Sequence, residues 1–344
     1  MTIAVGVIGL GGMGTAHCKT VASLENARVV ALCDIRPERM DMAVETKINF
    51  DIGIGGTVDL SGARKYTDYR RLLRNREVQA VVIALPSFLH ARAAIAAFKA
   101  GKHVFSEKPI ALTSREAVRE VRVAAEHGRF LMVGHVLRFW PEYVMLKEMI
   151  DSRCYGRTLG ASFRRAGSTV QWGWDNWFNH EELSGGCAMD LHIHDVDTIL
   201  WFFGVPTKVS ARAASVPTAG SRYIVALYEV GDVPMVSAEA GWFCGPYPFD
   251  MSFTVLFESA TVDYRMSAKP TLTVYKADGT TETPAVPEVN ACVEEVKYFI
   301  DCVAAATPPA RMKAQDSALA VAIVEAELKS ARTGKPVAVK PLNL

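Results

Sequence analysis

Ile3-Ala4-Val5-Gly6-Val7-Ile8-Gly9-Leu10-Gly11-Gly12-Met13-Gly14 reads as an apolar strand running into a G-x-G-x-x-G turn. The residues after it, Met13–Leu24, have helical periodicity. Strand, glycine turn and helix in that order are the context in which this motif binds a dinucleotide. Gly9 permits the tight turn, Gly11 lets the backbone approach a pyrophosphate, and Gly14 lets the helix pack closely on the strand. The helix N-terminus offers unpaired N–H groups and partial positive charge to phosphates. Asp34 ends the next apolar run, 20 residues after Gly14, where an acidic side chain accepts from ribose hydroxyls and repels a 2′-phosphate. This favours NAD. Arg36 is the counter-signal, because an Arg there suits NADP. The plainer alternative is that the glycines only make a turn, and FAD proteins share the motif but carry further signatures absent here.

Downstream, apolar runs alternate with helical stretches up to about residue 136. The runs are Arg28–Cys33, Ala80–Leu85, His103–Phe105 and Phe130–Gly134; the helices are Pro37–Glu45, Tyr69–Asn75, Leu89–Ala100 and Ser114–His127. Short apolar strands between helices predict a parallel, doubly wound sheet with both faces covered. Thr46–Arg64, rich in Gly and Asp, is expected to be a long loop. Beyond a helix at Pro141–Asp151 the texture changes to strands joined by short turns: Leu159–Arg165, Lys208–Ala214, Tyr223–Val230, Met235–Trp242, Phe253–Phe257, Thr261–Arg265 and Leu272–Lys276. Such strands predict an antiparallel sheet, interrupted by helices near Gly186–Phe203, Asn290–Ala306 and Ala314–Arg332. The expected fold is α/β: an N-terminal Rossmann domain with a doubly wound parallel sheet over 1–136, then a C-terminal α+β domain with a large, mostly antiparallel open sheet over 137–344.

Composition narrows the function. The 344 residues, half of them hydrophobic, suit two globular domains. The 38 basic and 37 acidic side chains nearly cancel, leaving no global field to draw nucleic acid or anionic membrane. No signal-peptide pattern opens the chain and no apolar run reaches about 18 residues, so a cytoplasmic protein is expected. Seven cysteines with no C-x-x-C pair read as reduced, mostly buried thiols.

Two segments carry candidate chemistry. Glu107-Lys108-Pro109 follows a strand end, where open α/β sheets bind ligands. Lys108 there suits proton transfer or polarising a hydroxyl; a surface Lys is the plainer alternative. In Gly185-Gly186-Cys187-Ala188-Met189-Asp190-Leu191-His192-Ile193-His194-Asp195-Val196-Asp197, a helix running to about Phe203 puts Asp190, His194, Asp197 and Trp201 on one face. Asp190 can orient His194 as a general base. Alternatively, the aspartates serve the helix and His194 packs. His192-x-His194 resembles a metal pair, but on a helix the two point about 160° apart, so no metal is expected.

Gly9–Gly14, Asp34, Pro86 with His90 in the Leu85–His90 turn, Glu107-Lys108-Pro109, the Asp190-x-x-x-His194-x-x-Asp197 run and the ending Ser330–Lys335 follow one another as in the Gfo/Idh/MocA oxidoreductases, a family the chain resembles over nearly its whole length. The resemblance implies oxidation of a secondary alcohol on a sugar or cyclic polyol, or reduction of the ketone, with NAD (NADP the second choice). It also implies subunit contacts through the open sheet, hence a homodimer or homotetramer. It carries the catalytic roles to Lys108, Asp190 and His194: His194 takes the hydroxyl proton, Asp190 orients it, and Lys108 bonds the same oxygen. Gly9, Gly11, Gly12, Met13, Gly14, Asp34, Arg36, Pro86, His90, Glu107 and Lys108 are the candidate cofactor-binding residues. Lys108, Asp190 and His194, with Trp172 and Trp177 of the Gln171–Gly186 loop, are the candidates for substrate, aromatic faces covering sugar C–H groups. Arg138 and Arg164 are candidates for the same cleft; Tyr143 and Phe139 are expected in the core. Packing is the equal alternative for the tryptophans. His192 and the length of Thr46–Arg64 depart from the family pattern. An NAD-dependent glycoside hydrolase and a non-catalytic dinucleotide-binding regulator are the competing functions.

Overall fold

The structure is a computed structural model that describes residues 1–41, 53, 58 and 60–343. By internal contacts the chain forms two compact units. One holds Met1–Val136, Asn290–Ala318 and the C-terminal end; the other holds Leu137–Val289 and Leu319–Leu342.

In the first unit, β1 (Ile3–Ile8) leads into α1 (Gly12–Ser23), then β2 (Ala27–Cys33), a 3-10 turn at Pro37–Asp41 and β3 (Arg64–Tyr66). Next come α2 (Tyr69–Leu73), β4 (Ala80–Ile83), α3 (His90–Lys99), β5 (His103–Ser106), α4 (Ser114–Glu126) and β6 (Leu131–Val133). Among the described residues the six strands pair in parallel in the order β3-β2-β1-β4-β5-β6. Every residue of β1 and β4 is buried, which is why both read as unbroken apolar runs. Strand order reverses between β1 and β4, and in open sheets the crevice beyond the strand ends at such a point holds the ligand. Local signals set the helix starts. Asp68 caps α2 by accepting from Arg70 N–H, and Thr113 caps α4 by accepting from Glu116 N–H while its hydroxyl donates to Glu116 Oε2.

The second unit opens with α5 (Pro141–Ser152) and β7 (Thr158–Ser168), followed by α6 (Glu181–Ser184) and α7 (Ile193–Phe203). A run of strands follows: β8 (Lys208–Val216), β9 (Gly220–Val230), β10 (Val233–Phe243), β11 (Asp250–Phe257), β12 (Ala260–Arg265), β13 (Leu272–Lys276) and β14 (Thr281–Glu282). The chain then forms α8 (Ala291–Ala304), α9 (Ala314–Thr333) and β15 (Val337–Ala338). Nine described strands make one sheet in the order β14-β13-β12-β11-β7-β10-β9-β8-β15. Its pairs are antiparallel except β7 with β10, which run parallel because the helical segment 169–207 carries the chain across before the meander begins. One face is packed: Phe163, Ile224, Ala226, Val236, Ala238 and Val255 are buried, as are Tyr143 and Phe139, both expected in the core. The alternate positions Val225, Leu227, Met235 and Leu256 are exposed. The result is the expected α/β class, a Rossmann sheet followed by a mostly antiparallel open sheet.

Three segments depart from the sequence expectations or run outside the described residues. Helix α8 contacts α1, β1 and β5, so residues 290–318 group with the first sheet although they follow the second in sequence. The helix expected over Pro37–Glu45 is a 3-10 turn over Pro37–Asp41, its remainder lying outside the described residues. Most of the loop expected at Thr46–Arg64 also lies outside them, and its last residue, Arg64, starts β3. The seven cysteines are free, with Cys154 and Cys244 exposed and the other five buried. No helix among the described residues is long and apolar enough to cross a membrane.

Candidate active site

The glycine turn after β1 has the shape its sequence requires. Gly9 sits at φ +90°, and a Cβ there would meet Ala84 O at 2.5 Å. A Cβ on Gly14 would lie 1.8 Å from Gly9 O. Gly11 differs: the nearest atom to its would-be Cβ is Arg39 Nη1, at 3.9 Å, so space is open above it. It is also the N-cap of α1, with no side-chain cap and no acidic residue in the first turn, which includes Gly12 and Met13. An uncapped helix start with an open glycine beside it fits a pyrophosphate, whose oxygens accept from exposed N–H groups. Arg39, on the turn after Asp34, brings a cation to this cradle; the signal available in the sequence was a second Arg three residues after Arg36.

Asp34 is 7% exposed, its carboxylate held by the backbone: Oδ2 accepts from Leu10 N–H at 2.7 Å and Oδ1 from Arg36 N–H at 2.9 Å. Each oxygen can accept a further bond, so Asp34 is a fixed acceptor with capacity left for hydroxyl donors. The Arg36 side chain is exposed. Pro86 leads into the short turn Ser87–Leu89.

The Glu107-Lys108-Pro109 segment is clamped on both sides. Glu107 Oε1 lies 2.6 Å from Nε2 of His17 on α1, and Oε2 accepts from Lys108 N–H at 3.2 Å. His17 is buried and meets the edge of Phe105 at 5.2 Å. Burial pushes the Glu107 carboxyl up, but hydrogen bonding and charge from His17, with Lys108 beyond, bring it below its ordinary value. Burial and the Glu107 charge push Glu295, on α8, well above the ordinary range. His90 is buried, with Nδ1 2.7 Å from Pro109 O and Nε2 2.7 Å from Leu85 O. It ties the Leu85–Pro86 turn to the cis Lys108–Pro109 bond. Burial lowers the His90 pKa against the pull of those two carbonyls. Lys108 itself is half-buried. Glu107 thus bonds this loop and α1, and His90 joins it to the Leu85 turn. Sequence reading missed His17, whose only signal is a His three residues after the fingerprint, and Glu295.

In the second unit, Gly185 and Gly186 take positive φ (74° and 67°) and start a helix that runs to Phe203. Its first part, Ala188–His192, is a π turn, and α7 follows directly. Asp190 is buried and His194 half-buried. His194 and Trp201, seven residues apart, lie partly exposed among buried neighbours, so they mark the outward side of the helix. The other acidic residues are anchors. Asp195 takes a bidentate guanidinium from Arg165 (3.0 and 3.1 Å), and Asp197 one from Arg138 (2.9 and 2.8 Å), all four side chains being 3% exposed or less. Arg138, a sequence candidate for the substrate cleft, is a buried ion-pair partner, 5.9 Å from the Trp201 ring. Arg164 pairs with Glu239 at 2.7 Å and Tyr247 Oη at 3.1 Å. His192 turns fully inward, so it and His194 do not converge, and no group of three or more His, Cys, Asp or Glu among the described residues is placed to hold a metal ion.

The tryptophans divide. Trp177 is 9% exposed and stacks on Phe178 at 3.8 Å, whereas Trp172 is 39% exposed and meets Phe178 edge-on at 5.6 Å. Left-handed Asp175 and Asn176 bend this segment, and Asn179 ties it to Val170 O, Asn176 and Arg222.

A switch-point crevice, a glycine cradle at an uncapped helix start and a backbone-held aspartate define a dinucleotide-binding Rossmann protein. Residues 3–135 match the family model described as "Oxidoreductase family, NAD-binding Rossmann fold", and residues 143–263 match the GFO/IDH/MocA C-terminal domain. The chain belongs to the Gfo/Idh/MocA family of oxidoreductases. An inositol 2-dehydrogenase of Salmonella typhimurium (strain LT2) is 27% identical over 350 residues, covering 97% of this chain and 96% of that protein. A 2,7-anhydro-N-acetylneuraminate hydratase of Mediterraneibacter gnavus is 30% identical over 223 residues, 64% of this chain and 55% of that one. A solved levoglucosan dehydrogenase, in complex with NADH and levoglucosan, shares the fold with a TM-score of 0.85 at 20% identity over 99% of this chain and all of that one.

Proposed function

We propose that this protein is an NAD-dependent oxidoreductase acting on a secondary alcohol of a sugar or cyclic polyol, or on the matching ketone. The observation that carries the reading is the full-length similarity to an inositol 2-dehydrogenase, in a chain that carries the glycine cradle, Lys108, Asp190 and His194. The turn Gly9–Gly14 and the start of α1 would hold the pyrophosphate, with Asp34 on the adenosine ribose. The nicotinamide, when bound, supplies the hydride acceptor or donor. His194 takes the proton of the substrate hydroxyl, Asp190 orients the imidazole and favours its cationic form, and Lys108 donates to the reacting oxygen and stabilises charge growing there. Glu107 holds the backbone N–H of Lys108, and His90 the carbonyl of Pro109 next to it. Trp172 is the better placed tryptophan for a sugar face, since Trp177 is largely used in packing.

The test is a panel of cyclic polyols and sugars with NAD⁺ or NADP⁺, read by NADH absorbance. Oxidation of at least one polyol with preference for NAD⁺ is expected. No turnover on the panel, despite tight NADH binding, would favour a non-catalytic binder. Lys108→Met should lower kcat far more than it weakens NADH binding; near-wild-type kcat would remove Lys108 from the chemistry. Similarity to a hydratase favours a second reading, turnover without net redox change. Product formed from an anhydrosugar or aryl glycoside with catalytic NAD⁺ and no NADH build-up would establish it. We further propose a homo-oligomer built on the open sheet face that exposes Val225, Leu227, Met235 and Leu256; light scattering of the purified protein decides this.

A further inference from the structure

His192 lies between Asp190 and His194 in sequence, yet its side chain is fully buried. Nε2 sits 3.1 Å from the hydroxyl of Tyr228, on β9, and 3.2 Å from Oε2 of Glu327, on α9. Glu327 is itself 0% exposed and Tyr228 4% exposed. Three elements distant in sequence therefore meet at one imidazole. No hydrogen-bond partner faces Nδ1. With its hydrogen on Nε2 the ring bonds the Tyr228 hydroxyl, with the Glu327 carboxylate at ion-pair distance but not hydrogen-bonded, and Nδ1 is left a bare acceptor; a hydrogen on Nδ1 would be buried without an acceptor, the costlier arrangement.

His192 is also the last residue of the π turn. A turn closed by i→i+5 bonds carries more residues per revolution than an α turn, so the step per residue falls below the usual 100° or so. Asp190 stands inside this turn and His194 just after it, so the turn's width sets the angle between their side chains. π turns are rare and occur frequently at functional sites. Asp195 and Asp197 tie down the α-helical part through Arg165 and Arg138, but both lie beyond the π turn. On the π turn itself two groups reach the sheet: Ala188 N–H donates to Ser221 Oγ at 3.0 Å where the turn begins, and where it ends the imidazole of His192 meets Tyr228, with Glu327 of α9 at ion-pair distance.

We infer that His192, with Glu327 and Tyr228, is a positioning residue that holds the π turn and so fixes Asp190 against His194. The inference rests on the roles proposed above for those two residues. It also gives a use to the His that departs from the family pattern.

The test compares His192→Leu, Glu327→Gln and Tyr228→Phe with the wild type. Four quantities are measured: melting temperature, NADH Kd, kcat and KM for an oxidised polyol, and the imidazole ¹⁵N resonances of His194 in substrate-free protein, assigned with His194→Gln. Loss of positioning predicts NADH Kd within about twofold of wild type, kcat down by about tenfold or more, and KM changed by less than about threefold. The His194 resonances should move in each variant, and His192→Gln, which keeps a donor, should recover part of kcat. Lowered melting temperature with unchanged kcat and unchanged His194 resonances would overturn the inference and leave His192 as packing alone. If His192→Leu does not fold, the near-isosteric Glu327→Gln and Tyr228→Phe decide. If the wild type oxidises no polyol, the proposed function fails separately, and the His194 resonances still decide the role of His192.

Discussion

Gly11→Ala should separate folding from cofactor binding. Gly11 has φ −73° and ψ −164°, an extended conformation open to alanine, and its new Cβ would meet nothing nearer than Arg39 Nη1 at 3.9 Å. Alanine is a poorer N-cap than glycine, a loss of about 0.5–1 kcal/mol. Against this, replacing glycine stiffens the unfolded chain and stabilises by about 0.4–1 kcal/mol. The two nearly cancel, so the urea midpoint should stay within experimental scatter of wild type. The methyl group, however, stands where the phosphate oxygens would approach the helix start. Losing one charge-assisted hydrogen bond there costs about 1.5–3 kcal/mol, which raises the NADH Kd by about 10- to 150-fold. Nicotinamide fluorescence titration measures it. Gly14→Ala is the contrast: its Cβ would lie 1.8 Å from backbone Gly9 O, so both stability and binding should fall. If Gly11→Ala binds NADH as tightly as the wild type, the turn does not cradle the pyrophosphate and the cofactor assignment falls.

Other perturbations test the framework of each unit. Arg165→Met leaves Asp195 buried without its guanidinium and should cost about 3–5 kcal/mol by urea unfolding, with Arg165→Met/Asp195→Leu recovering much of it; a single variant as stable as wild type would show the pair contributes nothing. Glu120 is fully buried with neither carboxyl oxygen bonded, and burial raises its pKa well above the usual range. A raised carboxyl pKa makes a contribution that is full below the unfolded value and lost as pH rises through the folded one. Glu120→Gln should therefore raise the melting temperature more at pH 8 than at pH 5, and an equal change at both would contradict the assignment. With a thiol reagent, Cys154 and Cys244 should react quickly in native protein and the remaining five only on unfolding, since those five are buried and burial pushes Cys18 to about 12; more than two fast thiols would refute this.

Much of the molecule was readable in one dimension because the causes are short-range. β1 had to be buried on both faces, and its six residues are all apolar. Gly9 and Gly14 are dictated by backbone atoms within a few residues or on the adjoining strand end. The caps at Asp68 and Thr113 act within three residues of their own positions. Lys108, Asp190 and His194 are proposed as a set through their order along the chain.

Buried polar partners were not legible. Glu107 was a candidate for the cofactor, but its Oε1 is met by His17, 90 residues away. Arg138 was a candidate for the substrate cleft, and nothing along the chain showed that Asp197, 59 residues on, holds it in a buried pair. The helical period already set His192 and His194 pointing apart, but did not show that the buried imidazole of His192 meets Tyr228 and Glu327, both far along the chain. The sequence by itself determined the strand and helix pattern, the glycine turn and the fold class, since periodicity and backbone sterics are settled between near neighbours. Only the tertiary structure decided which buried charge meets which, because any suitable donor can satisfy an acceptor and packing alone selects the one that arrives.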